Sequence, residues 1–428
     1  MRSTLTLASM TGSDPAQTAV RDRLAVVTTV TPDYLPWARV LADSLFEYHQ
    51  DARVVVVVTE PITDAMRRPG DRFELISAYD IGISEVEYEW MRAIYPAAPL
   101  CWALKPSALL YMLEDHESVL YLDSDMLVCG ELRDLAELAR EHGLVLTPHS
   151  LKPPPQDGLY PNDEIFLQYG QFNAGFVGVG RTRRDFLEFW GGKLRRDCRA
   201  VNEKNPFRAG DQRWLDLAIG YFAPHVLRDQ GVNVGHWNLT TNAVGRTPSG
   251  LTIDGTPLRL MHFSGFRPQK PDRMTDYPHW PVRPAMRTDP ILELCADYAG
   301  RLKVAGWTPQ RGAVREIAGI ALTREIQWAV RAALVESERV GAAPDSGPKD
   351  PEAFLGWLRT PVGVGSVSWY LWGLHQSQPN IAEAFPDISG SDEAAYLCWA
   401  ATEGVRRDLV PPVLAEPAAE SAPFAQVA

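Results

Sequence analysis

Val119-Leu120-Tyr121-Leu122-Asp123-Ser124-Asp125 is an apolar run that stops at two carboxylates. Continuous apolar character without polar alternation suits a strand of a parallel sheet covered on both faces. Charged side chains at the carboxyl end of such a strand lie where open α/β sheets bind ligands. Toward the N-terminus, Leu24 to Val30 (LAVVTTV) is a β-branched run, Tyr34 to Tyr48 has helical periodicity, and Arg53 to Thr59 is a second β run. That succession is a βαβ unit, which predicts an α/β fold with a mostly parallel sheet flanked by helices. Just ahead of the two aspartates, Lys105 to Leu113 reads as a helix with Pro106 in its first turn, where a missing N–H costs little.

Further along, Leu144 to Thr147, Asn173 to Val179 and Leu258 to His262 read as strands, and Arg184 to Arg196 and Asp211 to Ile219 as helices. From about Asp289 the pattern turns helical, through Leu292 to Val304 and Val314 to Val340. The expected organisation is a disordered leader (1–23), an α/β domain (24–285), a helical extension (286–340), a linker (341–351, GAAPDSGPKDP), a small Trp-rich helical domain (352–410) and a disordered Pro/Ala/Glu-rich tail (411–428). The leader carries one early arginine and is broken by Gly12, Asp14 and Pro15, unlike a signal peptide. Apolar runs are strand-sized, short of the roughly 18 residues that span a bilayer.

Five cysteines without a C-x-x-C pair fit a reduced, cytoplasmic protein and argue against a structural zinc site. The net charge of −12 disfavours nucleic-acid binding, which needs a basic surface. The charge is unevenly spread: residues 1–150 hold 12 basic and 23 acidic groups, residues 151–350 hold 27 and 22, and the remainder 3 and 9. The segment following the two aspartates is therefore net positive. Within it, Arg181 to Arg199 carries seven basic and three acidic residues, readable as a solvated helix face or as peripheral contact, through Arg195 and Arg196, with the inner face of the cell membrane or a lipid diphosphate.

Asp123 and Asp125, two residues apart at a strand end, can offer hard oxygen ligands to a divalent cation. His262, in LRLMHFSG, again runs from an apolar strand into a small polar turn and is the natural third ligand. Carboxylate plus imidazole suits Mn²⁺, or Mg²⁺, better than Ca²⁺.

Six segments in order resemble the GT-A-fold glycosyltransferases with a D-x-D motif, in particular the family 8 retaining group and its bacterial relatives. They are Lys105-Pro106, YLDSDMLV from Tyr121, FNAGFVGV from Phe172, GDQRWLDL from Gly210, GVNVGHWN from Gly231 and HFSGF from His262, and the resemblance covers residues 24–285. It implies that Asp123, Asp125 and His262 bind Mn²⁺ at the diphosphate of a nucleotide-sugar, with Ser124 and Lys105 at the donor. It implies that Asn173, Ala174 and Gly175 line the sugar pocket, that Asp211 binds hydroxyls of the transferring sugar, and that Gln212 lies near its anomeric carbon. Arg267 or Lys270 would touch the diphosphate, and Gly265 would let backbone approach phosphate oxygens. Thr28, Thr29, Thr31 and Tyr34 would hold the nucleoside, while Asn233, Trp237 and Asn238 would sit toward the acceptor.

Each position also has a plainer reading: Lys105 as a solvated first-turn lysine, Asp211 as a helix N-cap, Gly175 as a tight strand glycine, Tyr34 and His262 as packing residues. The function expected from the resemblance is metal-dependent transfer of a sugar, with retention, from a UDP-hexose to a glycan or lipid-linked acceptor, as in polysaccharide biosynthesis. An inverting GT-A enzyme with Asp211 as general base and a catalytically silent sugar-nucleotide-binding or scaffold protein remain as alternatives. A sugar-nucleotide pyrophosphorylase would need a Gly-rich phosphate loop where the chain has TTVTPDYL.

Overall fold

The computed structural model describes residues 23–199, 210–239, 242–277, 284–309, 312 and 314–415. Strand β1 (Ala25–Val30) pairs in parallel with β2 (Arg53–Val58), β2 with β3 (Glu74–Ser77), and β1 with β4 (Ser118–Leu122). After the two aspartates, β5 (Met126–Val128) leaves this sheet. Strand β6 (Leu144–Pro148), the long β7 (Phe172–Gly180) and β8 (His225–Val226) complete it in the order β3-β2-β1-β4-β7-β6-β8. Only β7 runs against the rest, antiparallel to β4 and β6. This mostly parallel sheet flanked by helices, with a helical C-terminal region, is the architecture expected.

Its central strands are largely apolar because both faces are covered. Ala25, Val27, Val55, Val57, Val119 and Tyr121 share a core with helix Ala97–Met112, while Val26, Val54, Leu120, Leu122 and Phe176 pack with helices Leu35–Tyr48 and Arg133–His142 on the other side. The first core continues into the C-terminal helices through Phe354, Trp357, Tyr370 and Tyr396. Trp90 meets Trp357 edge to face at 5.3 Å between ring centroids. Within residues 341–351, expected as a linker, Gly347 and Pro348 are buried, Gly347 at φ +56° where a Cβ would lie 2.6 Å from the Trp90 indole nitrogen. At the start of the expected tail, Pro412–Ala415 is a short helix with Leu414 buried. Residues 1–22 of the leader and 416–428 of the tail lie outside the described residues.

Three elements differ from expectation. The helix expected from Lys105 begins at Ala97, so Pro106 lies inside it rather than in its first turn. Its first turns are apolar all round, buried at Leu100, Ala103 and Leu104, and give no amphipathic signal. The helix expected over 314–340 is a hairpin, Glu316–Ile317 with Ile320–Ala321, followed by helix Arg324–Arg339. Ala318 and Gly319 turn that hairpin at φ +53° and +74°. The helix expected from Asp211 is 3₁₀ over Gln212–Leu217 and α only over Ala218–Phe222.

Candidate active site

The site is assembled by a strand that changes partner. Having left β4 at Asp123 to Asp125, the chain pairs β5 antiparallel with Leu260–His262, Met126 opposite His262. The Phe263 amide donates to the Asp125 carbonyl (2.9 Å), and the His262 amide to the Val234 carbonyl (2.8 Å). Those bonds bring a histidine from the far end of the α/β region beside the two aspartates. The ligand atoms of Asp123, Asp125 and His262 lie within 4.8 Å of one another. His262 Nε2 is 3.1 Å from Asp125 Oδ1 and 3.9 Å from Asp123 Oδ2, and Nδ1 is 2.9 Å from Asn233 Oδ1. With its other ring nitrogen committed to a carboxamide oxygen, His262 turns Nε2 toward both carboxylates, a donor set that fits an ion of the Mn²⁺ or Mg²⁺ type.

Gly175 makes this approach possible. A Cβ there would stand 2.3 Å from His262 Cε1 and 2.7 Å from Nδ1. The Gly175 carbonyl also accepts from the Asp123 amide at 2.8 Å, so β7 holds both ends of the cluster.

Lys105 is the second organising residue. It is 1 % exposed, which excludes the solvated first-turn reading, and its Nζ lies 2.7 Å from Asp211 Oδ2, 3.0 Å from Asp123 Oδ1 and 3.0 Å from the Ala174 carbonyl oxygen. Burial disfavours its charge, yet Asp123 and Asp211 hold its pKa well above the usual lysine range. Burial, with Asp123 adding, pushes the Asp211 carboxyl up, and Lys105 offsets only part of that. The Asp211 side chain makes no N-cap bond to the helix that follows it. Gln212 donates to the Tyr169 carbonyl at 2.9 Å.

These groups open into one cleft of about 710 Å³. Of the residues assigned by resemblance, Thr29, Thr31, Tyr34, Lys105 and Ser124 line it on the β1–β4 side, and Asn173, Ala174, Gly175, Asp211 and Gln212 on the β7 side. Gly265 (φ +73°) and Arg267 line its rim. Arg267 is exposed and forms no ion pair among the described residues. Lys270, the other candidate for the diphosphate, is absent from the lining and pairs with Asp276 at 3.0 Å. Thr28 is fully buried in β1 and also absent from the lining, because alternation sends it to the opposite sheet face from Thr29. The Thr29 hydroxyl is itself engaged by the Cys101 carbonyl (2.9 Å) and the Tyr121 hydroxyl (2.8 Å). Tyr34 stacks on Trp37 at 5.6 Å.

Trp237 lines the cleft and meets the His262 ring edge to face at 5.0 Å. Asn233 and Asn238 do not line it. Both are buried behind His262, Asn238 donating to the Asn233 carbonyl at 3.2 Å. Sequence reasoning missed His149 and His236, which line the cleft and are pushed by burial to about 4 and about 3, so that neither carries charge at neutral pH. His149 sits in TPHS at the end of β6 and His236 in GVNVGHWN; a polar residue ending an apolar run was the signal available for His149. The basic run proves largely neutralised: Arg196 pairs with Glu87 and Glu338, Arg184 with Glu114, and Arg199 with Asp197. No helix among the described residues is long and apolar enough to cross a membrane.

No protein-family model matches the sequence. The chain is 31% identical over 180 residues to the uncharacterized protein YfnD of Bacillus subtilis (strain 168), matching 39% of this chain and 53% of YfnD, so it spans about half the length of that relative. It is 25% identical over 257 residues to the uncharacterized protein YfnF of the same organism, 57% of this chain and 82% of YfnF. Among solved structures it is similar to the galactosyltransferase LgtC in complex with donor and acceptor sugar analogs, at 18% identity and a TM-score of 0.38 over 65% of this chain and 95% of LgtC. It is likewise similar to the glycosyltransferase GlyE of Streptococcus pneumoniae TIGR4, in its apo form, at 15% identity and a TM-score of 0.35 over 66% of this chain and 62% of GlyE. Overlaps of this extent carry no argument about activity, which rests on the site itself.

Proposed function

We propose that this protein is a metal-dependent glycosyltransferase that moves a sugar from a nucleotide-sugar, a UDP-hexose, to a glycan or lipid-linked acceptor with retention of configuration. The observation that carries the reading is the convergence, in one cleft at the carboxyl ends of parallel strands, of Asp123, Asp125 and His262 with the buried Lys105–Asp211 pair and the exposed Arg267. Bound by the two carboxylates and the imidazole, Mn²⁺ or Mg²⁺ would supply the positive charge that a departing diphosphate needs. Arg267 adds a cation at the rim, where phosphate oxygens can be met bidentately. Gly265 presents its backbone to the cleft, its φ of +73° and missing Cβ letting Tyr277 and Thr275 pack against this turn. Asp211 and Gln212 orient the transferring sugar, and Lys105 keeps Asp211 and Asp123 at fixed separation.

Lys105 Nζ already occupies Asp211 Oδ2 at 2.7 Å, which leaves that oxygen less free to take a proton from an acceptor, and the anomeric configuration of the product decides between retention and inversion. A cytoplasmic location, supported by a sparse cysteine set without a C-x-x-C pair, belongs to the same reading. Contact with an anionic membrane surface would rest on Arg195, since Arg196 is already paired.

The test is a panel of nucleotide-sugars with Mn²⁺, scored for thermal stabilisation and for release of nucleoside diphosphate. One UDP-sugar is expected to stabilise the protein only with metal present, and Asp125→Ala to abolish the effect. Absence of any metal-dependent shift across the panel refutes the proposal.

A further inference from the structure

We infer that Asn233 is a positioning residue that fixes the tautomer of His262 through a hydrogen-bond relay of single polarity anchored on backbone groups. The inference rests on the reading of Asp123, Asp125 and His262 as a metal centre.

The relay can be followed atom by atom. The Gly175 backbone N–H can only donate, and it donates to Asn173 Oδ1 at 3.0 Å. The Asn173 oxygen is thereby identified, so the Asn233 atom 3.0 Å from it must be the amide nitrogen. The same nitrogen donates to Thr147 Oγ1 at 2.7 Å. Asn233 therefore presents its oxygen to His262 Nδ1 at 2.9 Å, and an oxygen that only accepts requires the proton on Nδ1. The ring's lone pair is left on Nε2, facing Asp125 and Asp123. In the other direction the Asn173 amide faces His149 Nε2 (3.3 Å), and His149 Nδ1 donates to the Gly170 carbonyl (2.8 Å). The chain of bonds thus begins on an N–H and ends on a C=O that cannot exchange roles.

Asn173, Asn233, His149, Thr147 and His262 are all buried, so a flipped amide would oppose like groups at a cost. Asn233 also stands at φ +56°, where asparagine is tolerated and most residues are strained. Asparagine meets both demands at once, since glycine would accept the backbone angle without the oxygen, and aspartate would keep the oxygen but set a second acceptor against Asn173 Oδ1.

The experiment compares Asn233→Gly and Asn233→Asp in the 428-residue protein by Mn²⁺ titration read by electron paramagnetic resonance, alongside thermal melting. Asn233→Gly is expected to weaken Mn²⁺ binding about 10- to 100-fold, the usual effect of removing a partner behind a metal ligand. Asn233→Asp, which keeps an acceptor for Nδ1–H, is expected to retain affinity within a few-fold of wild type although it too lowers the melting temperature. A space-filling role would lower melting in both variants without separating their affinities. In metal-free protein the hydrogen-bonded His262 Nδ1–H proton resonance, assigned by its loss in His262→Ala, should survive in Asn233→Asp and vanish in Asn233→Gly. Wild-type Mn²⁺ affinity in Asn233→Gly, or equal weakening in both variants, overturns the relay. If the wild type takes up no Mn²⁺, the metal-centre reading fails, and the Nδ1–H resonance alone decides the relay, its persistence in Asn233→Gly overturning it. Should Asn233→Gly not fold, loss of the resonance or of affinity in Asn233→Asp overturns it, and retention of both supports it.

Discussion

A single methyl group added at Gly175 tests how far the site depends on His262 lying against β7. The Cβ of Gly175→Ala would stand 2.3 Å from His262 Cε1, 2.7 Å from Nδ1 and 2.8 Å from Asn173 Oδ1. Carbon atoms settle at about 3.5–4.0 Å, so the imidazole must retreat by about 1.2 Å or more. It has little room to do so, because Trp237 packs on it edge to face at 5.0 Å and Asn233 holds Nδ1. The shift breaks that hydrogen bond or carries Nε2 away from Asp125. A misplacement of about 1 Å costs on the order of 10²-fold in rate. The accompanying strain is about 1–3 kcal/mol, within the roughly 5–15 kcal/mol margin of an ordinary folded protein, so the variant stays folded while its site is spoiled.

The assay is Mn²⁺ affinity together with turnover of the donor found in the nucleotide-sugar panel, measured well below the melting temperature. Gly192→Ala serves as the control: it lies in helix Arg184–Leu194 with nothing within 4 Å of an added Cβ. It is expected to gain about 0.5–1 kcal/mol of stability and to lose no activity. Gly175→Ala with wild-type Mn²⁺ affinity and turnover would falsify the packing argument.

Two further substitutions probe the charges. Lys105→Met leaves Asp211 buried without its cation and should cost about 3–5 kcal/mol at neutral pH. A buried carboxyl whose folded pKa is raised above its unfolded value contributes stability present at low pH and lost as pH rises through the folded pKa, so the deficit must be smaller at pH 5 than at pH 8. Urea unfolding at both pH values checks the sign, and an equal or larger deficit at pH 5 contradicts it. Arg267→Ala removes an exposed cation that forms no ion pair among the described residues, so the melting temperature should hold while KM for the nucleotide-sugar rises about 10- to 100-fold, the equivalent of one charge-assisted hydrogen bond. Unchanged KM in Arg267→Ala would remove it from the donor site.

How much of this could be read from the chain depends on the range of the interaction. Strands β1, β2 and β4 announced themselves because burial on both faces demands unbroken apolar runs, a local property of the residues themselves. The same demand hid the start of helix Ala97–Met112, since a helix apolar on every side has no period to detect. The strand ends were legible for a related reason: Asp123 and Asp125 break an apolar run, and nothing in a covered sheet tolerates two carboxylates unless the chain is leaving it. What the sequence left open was always a matter of face or partner. Thr28 and Thr29 differ by one residue, but alternation sends one into the sheet and the other to the cleft. Arg267 and Lys270 both offer a cation three residues apart in one motif until Asp276 is seen to take up Lys270.

Asn233 and Gly175 were singled out in the sequence by motif, yet their physical roles run through side chains far away along the chain. Gly175 has no Cβ because an imidazole 87 residues later occupies that space, and Asn233 carries an oxygen because that imidazole needs an acceptor. The two requirements are coupled, since moving the ring to admit a Cβ also breaks the bond to Asn233. The double variant Gly175→Ala/Asn233→Gly should therefore lose less Mn²⁺ affinity than the sum of its parts, as residues that share one partner do. Additive losses would mean that the glycine and the asparagine act on His262 independently.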